Sequence, residues 1–255
     1  MRNHYIQKKF IENFCGSNGI LIYDIANDKF LPKHNKANNI ALENDLYHFE
    51  NIDYPDEQIE KDFKVIEDNG MDIIRKIAET EMLPTGEDLH KLLAYLYYQA
   101  LRTPSEMEMQ QEEIGKLNKI NNTTDFNDLP LAKMYNTNLT IKAINSILNG
   151  YDIYLLKQNE PLFFFTDCFC GALQNKLNKL IPITRCLALY FISKNCEQLC
   201  HKTLKRNVAN LISFNEYFAL ISFSAFDYHR LAFASYTDTN RKLVPIFFKL
   251  SHKFS

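Results

Sequence analysis

Residues 56–120 repeat apolar side chains at helical spacing, and the segments on either side switch to strand chemistry; that order limits the fold more than any other feature. "DEQIEKDFKVIEDNGMDIIRKIAET" sets Ile59, Phe63 and Ile66 three or four residues apart, on one face of a helix. In "TGEDLHKLLAYLYYQALRTP", Thr85 is placed to cap a second helix that ends before Pro104. "SEMEMQQEEIGKLNKI" continues as a polar helix capped by Ser105. From Asn121 to Pro130 the chain is rich in Asn, Thr and Asp, as exposed loops are.

Ahead of this block, "MRNHYIQKKFIENF" turns Ile6, Phe10, Ile11 and Phe14 to one side and predicts a helix over residues 3–14, closed by Cys15-Gly16. "ILIYDI", the turn "AND" and "KFLP" predict a hairpin, and "DLYHFE" a third short strand. Behind the block stand a helix near 138–148 and "GYDIYLLKQNEPLFFFTD", read as two strands joined by Gln158-Asn159-Glu160. The strand "TRCLALYFI" and a helix through "NVANLISFNEYFALISFSAF" complete the chain, with no internal repeat and no low-complexity tract. The expected fold is α+β, one domain over 1–255. It divides into a β-hairpin unit (1–54), a helical middle (55–148) and a small antiparallel sheet with a closing helix (149–255).

A chain of 255 residues, 46% hydrophobic, is long enough to bury a full core. A net charge of −2 gives no global electrostatic reason to bind nucleic acid or an anionic membrane. The longest apolar runs, "PLFFF" and "CLALYFI", fall far short of the roughly 18 residues that span a bilayer, so no membrane partner is expected. The first 20 residues lack a secretory signal, and the expected location is the cytoplasm. Six cysteines in this length read as reduced thiols rather than a disulfide scaffold. A zinc reading would draw on Cys168, Cys170, Cys196, Cys200 and His201, but neither "CFC" nor "CEQLCH" has the C-x-x-C spacing of a zinc knuckle. Gly-rich phosphate loops, the G-x-S-x-G elbow, H-E-x-x-H and the dinucleotide fingerprint are absent. The basic run "HKTLKRN" at 201–207 either touches phosphate or, as such runs more often do, forms a solvated helix face.

His4-Tyr5-Ile6 with Ile11, Asn13 and Phe14, then "YDIANDKF", "LENDLYHFE", "QIEKDFKVIE", "YQALRTP", "FFFTD" and "IPITRCLAL", follow one another in an order that resembles the bacterial family of domain of unknown function 4238. The resemblance runs over most of the chain and puts Glu60 and Glu67 at family-like acidic positions. It departs at Gln7, where the family has Pro, and at "TDCFCGAL", where the family continues Asp-x-Pro. It implies an architecture and no activity.

The candidate site residues each carry two readings. His4 is either a general acid/base, since imidazole titrates near neutral pH, or a hydrogen-bonded structural group, with Tyr5 beside it as a binding contact. Arg102 either meets the negative end of a helix dipole or, beside Thr103, clamps a phosphate or carboxylate. Asp167 emerges with Thr166 at the end of an apolar strand, where carboxylates often work, or makes an ordinary turn. Glu60 and Glu67, seven residues apart, share a helix face; they either are solvated or join His4 and Asp167 around Mg²⁺ or Mn²⁺. Base, anion clamp and carboxylate together suit an intracellular phosphodiesterase-type hydrolase, a nuclease acting on RNA or DNA, in the manner of a toxin or phage-defence effector. The alternative is a non-catalytic module that binds a nucleotide-like ligand or a protein partner through Arg102 and Tyr5. In a third reading these residues only hold the fold of a protein-interaction subunit.

Overall fold

A computed structural model describes residues 2–32, 37–44, 56–122, 135–168, 178–194, 204–223 and 231–251. The helical middle forms as its periodicity requires. Helix α2 (Asp56–Thr80) buries Phe63, Ile73, Ile74 and Ile77 and ends at Glu81, which takes left-handed φ of 55° while its N–H bonds the Ile77 carbonyl. Helix α3 (Gly86–Leu101) starts behind Thr85, whose extended backbone caps it without a side-chain hydrogen bond. Glu87 and Asp88 stand in its first turn, where the helix dipole favours acids. The next helix, α4 (Pro104–Asn121), is capped by Thr103 and not by Ser105. Pro104 explains the shift: its fixed φ and missing N–H suit the first helical position, which places the cap at Thr103, two residues before Ser105. Helix α5 (Thr137–Gly150) is capped by Asn136, whose side chain accepts from the Leu139 N–H.

The N-terminus departs from its expected helix. Residues Arg2–His4 form strand β1, and helix α1 is only Lys8–Glu12. Gln7 explains this, because its extended backbone (ψ 129°) starts the helix there and leaves residues 2–4 free to pair with a strand. The expected hairpin forms from β2 (Ile20–Asp24) and β3 (Lys29–Phe30), with Tyr23 opposite Phe30. Strand β4 (Leu42–Asn44) pairs antiparallel with β1 and sets Leu42 opposite His4. The predicted strand at 45–50 lies outside the described residues.

The remaining strands are β5 (Tyr151–Lys157), β6 (Phe164–Thr166), β7 (Lys179–Pro182), β8 (Leu187–Ser193), β9 (Ala209–Leu211) and β10 (Leu231–Ser235). They form two four-stranded sheets, β3-β2-β10-β6 and β7-β8-β5-β9. All pairs within them are antiparallel except β5 with β9. The two strands joined by Gln158-Asn159-Glu160 belong to different sheets: β5 lies between β8 and β9, while β6 pairs with β10. The expected single helix after Asn207 is β9 followed by α6 (Phe214–Phe223), which starts at a reciprocal cap between Ser213 and Glu216. Helix α7 (Asp238–Ser251) closes the fold.

Strand side chains alternate between two cores. Leu187, Leu189 and Phe191 of β8, Phe165 of β6 and Phe233 of β10 pack with Phe10, Ile74, Leu92 and Ile144 of the helices α1, α2, α3 and α5. Ala188, Tyr190 and Ile192, Phe164, Ala232 and Ala234 pack with Tyr217, Val244, Phe247 and Phe248 of α6 and α7. Both faces of these sheets are therefore covered, which is why their strands read as unbroken apolar runs. The architecture is α+β, and among the described residues no helix is long and apolar enough to cross a membrane.

Candidate functional site

The segment between β1 and α1 is fixed on several sides. The Tyr5 N–H bonds the Ala41 carbonyl at 3.0 Å, and Tyr5, Ile6, Phe10, Ile11 and Phe14 are all buried. The rings of Phe10 and Phe14 sit 5.4 and 4.6 Å from that of Phe165, which stacks on Phe233 at 4.9 Å. The short first helix is thus packed on the strand that leads into Thr166 and Asp167. That packing accounts for the apolar spacing of residues 6–14.

Arg102 joins this segment from the far end of α3. Its side chain is 2% exposed; Nη2 donates to the His4 carbonyl oxygen at 2.7 Å and Nη1 donates to Oε1 of Glu67 on α2. Gln99 Nε2 donates to the same Glu67 oxygen at 3.2 Å, while its Oε1 accepts from the Gln7 N–H at 3.0 Å. Tyr95 donates its hydroxyl to Gln7 Oε1, also at 3.0 Å. Tyr95, Gln99 and Arg102 are spaced i, i+4 and i+7, so one face of α3 addresses residues 4–7. Arg102 is bonded to a carboxylate and a main-chain carbonyl inside the protein, and its two terminal nitrogens serve that junction. Thr103 is buried; its hydroxyl donates to the Ala100 carbonyl, and its main-chain carbonyl accepts from the Met107 N–H.

Asp167 is fully buried. Its N–H bonds the Leu231 carbonyl and its Oδ2 accepts from the Leu231 N–H, both at 3.0 Å, so it extends the β6–β10 pairing by one residue. Thr166 is buried opposite Ala232. The next residue, Cys168, places Sγ 3.3 Å from the hydroxyl of Ser105, in the first turn of α4. The Asp167-Cys168 turn therefore lies against the helix that follows Arg102 and Thr103 directly.

The structure brings together His4, Tyr5, Glu67, Arg102 and Thr103, with the Thr166-Asp167 turn joined to them through α1 and α4. Glu60 belongs to α2, and its side chain lies outside the described residues. Among the described residues no three His, Cys, Asp or Glu side chains form a group able to hold a metal ion. Of the zinc candidates only Cys168 is described; Cys170, Cys196, Cys200 and His201 lie outside. In the basic run, residues 204–207 are not helical, and Arg206 pairs with Asp152. Gln7, Tyr95 and Gln99 are network residues that sequence reasoning missed. The available signal was a glutamine on the Leu92–Leu96 stripe of an otherwise apolar helix face.

No curated protein and no solved structure matches the chain. The family model described as "Protein of unknown function (DUF4238)" matches residues 2–166, from the first residue of β1 to the last of β6. That stretch holds His4, Glu67, Gln99 and Arg102 and covers well over half of the 255 residues, so the chain belongs to the DUF4238 family.

Proposed function

We propose that the protein is an intracellular hydrolase of phosphodiester bonds in RNA or DNA, with His4 as its working acid/base. One observation carries the reading: the half-buried His4 has its carbonyl held by Arg102 and its strand paired to β4, which fixes the main chain that carries an imidazole. In the proposed step the imidazole takes a proton from an attacking water as the water oxygen bonds phosphorus. The bond from phosphorus to the leaving oxygen then breaks, and that oxygen takes the proton back from the imidazolium, which restores the neutral imidazole. Arg102 and Glu67 act on His4 rather than on the substrate, because their charges are spent on each other and on the His4 carbonyl. Cleavage of labelled RNA or DNA by the wild type, measured with and without Mg²⁺ or Mn²⁺, tests this reading; no cleavage under any of these conditions contradicts it.

A second reading, a non-catalytic ligand- or protein-binding module, needs no chemistry from Asp167. A carboxylate that is fully buried and bonded to the Leu231 N–H serves the fold first. On that reading His4→Ala weakens ligand binding and the wild type shows no turnover.

A further inference from the structure

We infer that Gln99 is the positioning residue that holds His4, an inference resting on the reading of His4 as the working group. Both ends of the 4–7 segment return to this one side chain. Gln7 is bonded directly, N–H to Gln99 Oε1 at 3.0 Å, and His4 is reached through Glu67 and Arg102. Between them the Tyr5 N–H is taken by Ala41, and Tyr5 and Ile6 are buried, so residues 4–7 cannot rotate without breaking one of these ties.

The chemistry requires an amide. The Gln7 N–H can only donate, so the oxygen of Gln99 must face it, and the Gln99 nitrogen then faces the Glu67 carboxylate as a donor. Glutamate would set a second carboxylate against Glu67, and an apolar residue would leave the Gln7 N–H and one bond to Glu67 unmet. Gln99 is 0% exposed, a position where an apolar side chain fills space without the cost of desolvating an amide. Its two satisfied ends give the amide a task there: it links the ion pair of α2 and α3 to the entry of α1.

The test reads His4 by NMR, through the imidazole Cε1–H resonance identified by its loss in His4→Gln. Wild type, Gln99→Met and a control, Phe247→Leu, are compared, the control lying in the core on the other side of the sheets. Gln99→Met is expected to move and broaden the His4 resonance, while Phe247→Leu lowers the denaturation midpoint and leaves the resonance in place. Cleavage by Gln99→Met should lose about 100-fold in kcat with KM little changed, the cost of misplacing a working group by about 1 Å. An unmoved His4 resonance in folded Gln99→Met overturns the inference. Should Gln99→Met not fold, Gln99→Glu carries the same two outcomes, since it keeps the acceptor for Gln7 and alters only the end facing Glu67. The resonance reports on His4 whether or not the wild type cleaves nucleic acid, so a wild type without cleavage counts against the hydrolase reading alone.

Discussion

Arg102 donates a hydrogen bond to the main-chain carbonyl oxygen of His4 at 2.7 Å, across 98 residues of sequence. That contact ties the end of α3 to the strand that opens the chain, and Glu67 balances its charge from α2. Removing the guanidinium would leave a carboxylate that is only 13% exposed without its partner. Arg102→Ala should therefore lower unfolding free energy by about 3–5 kcal/mol, measured by urea denaturation. The double variant Arg102→Met with Glu67→Leu should recover most of this. A loss in the double variant equal to the sum of the losses in Arg102→Met and Glu67→Leu alone would show that the pair is not coupled.

Gly70 permits the close approach of α2 to α3. A Cβ at this position would lie 2.2 Å from Cγ of Tyr95, whose hydroxyl reaches Gln7. Gly70→Ala should destabilise by about 1–3 kcal/mol through overpacking, despite the better helix propensity of alanine. A melt unchanged or raised in Gly70→Ala would contradict this contact.

Asp167 should behave as a structural acceptor in stability measurements. Asp167→Ala leaves the Leu231 N–H unmet at the strand edge, a loss of about 1–3 kcal/mol. In a chain of this size that lowers the thermal midpoint by about 2–4 °C per kcal/mol. Asp167→Asn keeps an acceptor oxygen and should lose less.

The acid side of the stability profile should contain two separable contributions. Hydrogen bonds from the Ser213 backbone and hydroxyl hold the Glu216 carboxyl below the usual glutamate range, and Lys64 and Lys9 do the same for Asp68. A carboxyl with a depressed value in the folded state binds fewer protons there than when unfolded. Its contribution is thus complete above the unfolded value, about 4, and is lost as pH falls through the lower folded value. Added salt should erase the Asp68 part, which depends on exposed lysines, and spare the Glu216 part. Denaturation midpoints against pH for Glu216→Gln and Asp68→Asn, at low and high salt, check both.

Local chemistry made much of this fold legible in the sequence. The 25-residue α2 shows its helical period, Thr85 marks the start of α3, and "AND" marks the hairpin turn. Partners distant in sequence were not legible. "PLFFF" announces a strand but not that its partner is β10, 65 or more residues on, because a strand buried on both faces carries no alternation to identify its neighbour. Strand β1 is three polar residues, a signal that the helical period of Ile6, Phe10 and Phe14 overrides. At the site, His4, Arg102, Glu67 and Asp167 stood out by residue type. Whether Arg102 faced solvent or the interior was not readable, since that depends on Glu67 arriving from a separate helix.

The most direct test of the account compares cleavage of labelled RNA and DNA by wild type and His4→Ala, at a temperature where both melts show full folding. Cleavage by the wild type is expected, with a loss of about 100-fold or more in His4→Ala, in the range that one acid/base group contributes. Equal cleavage by the two proteins would remove His4 from the chemistry and contradict the account.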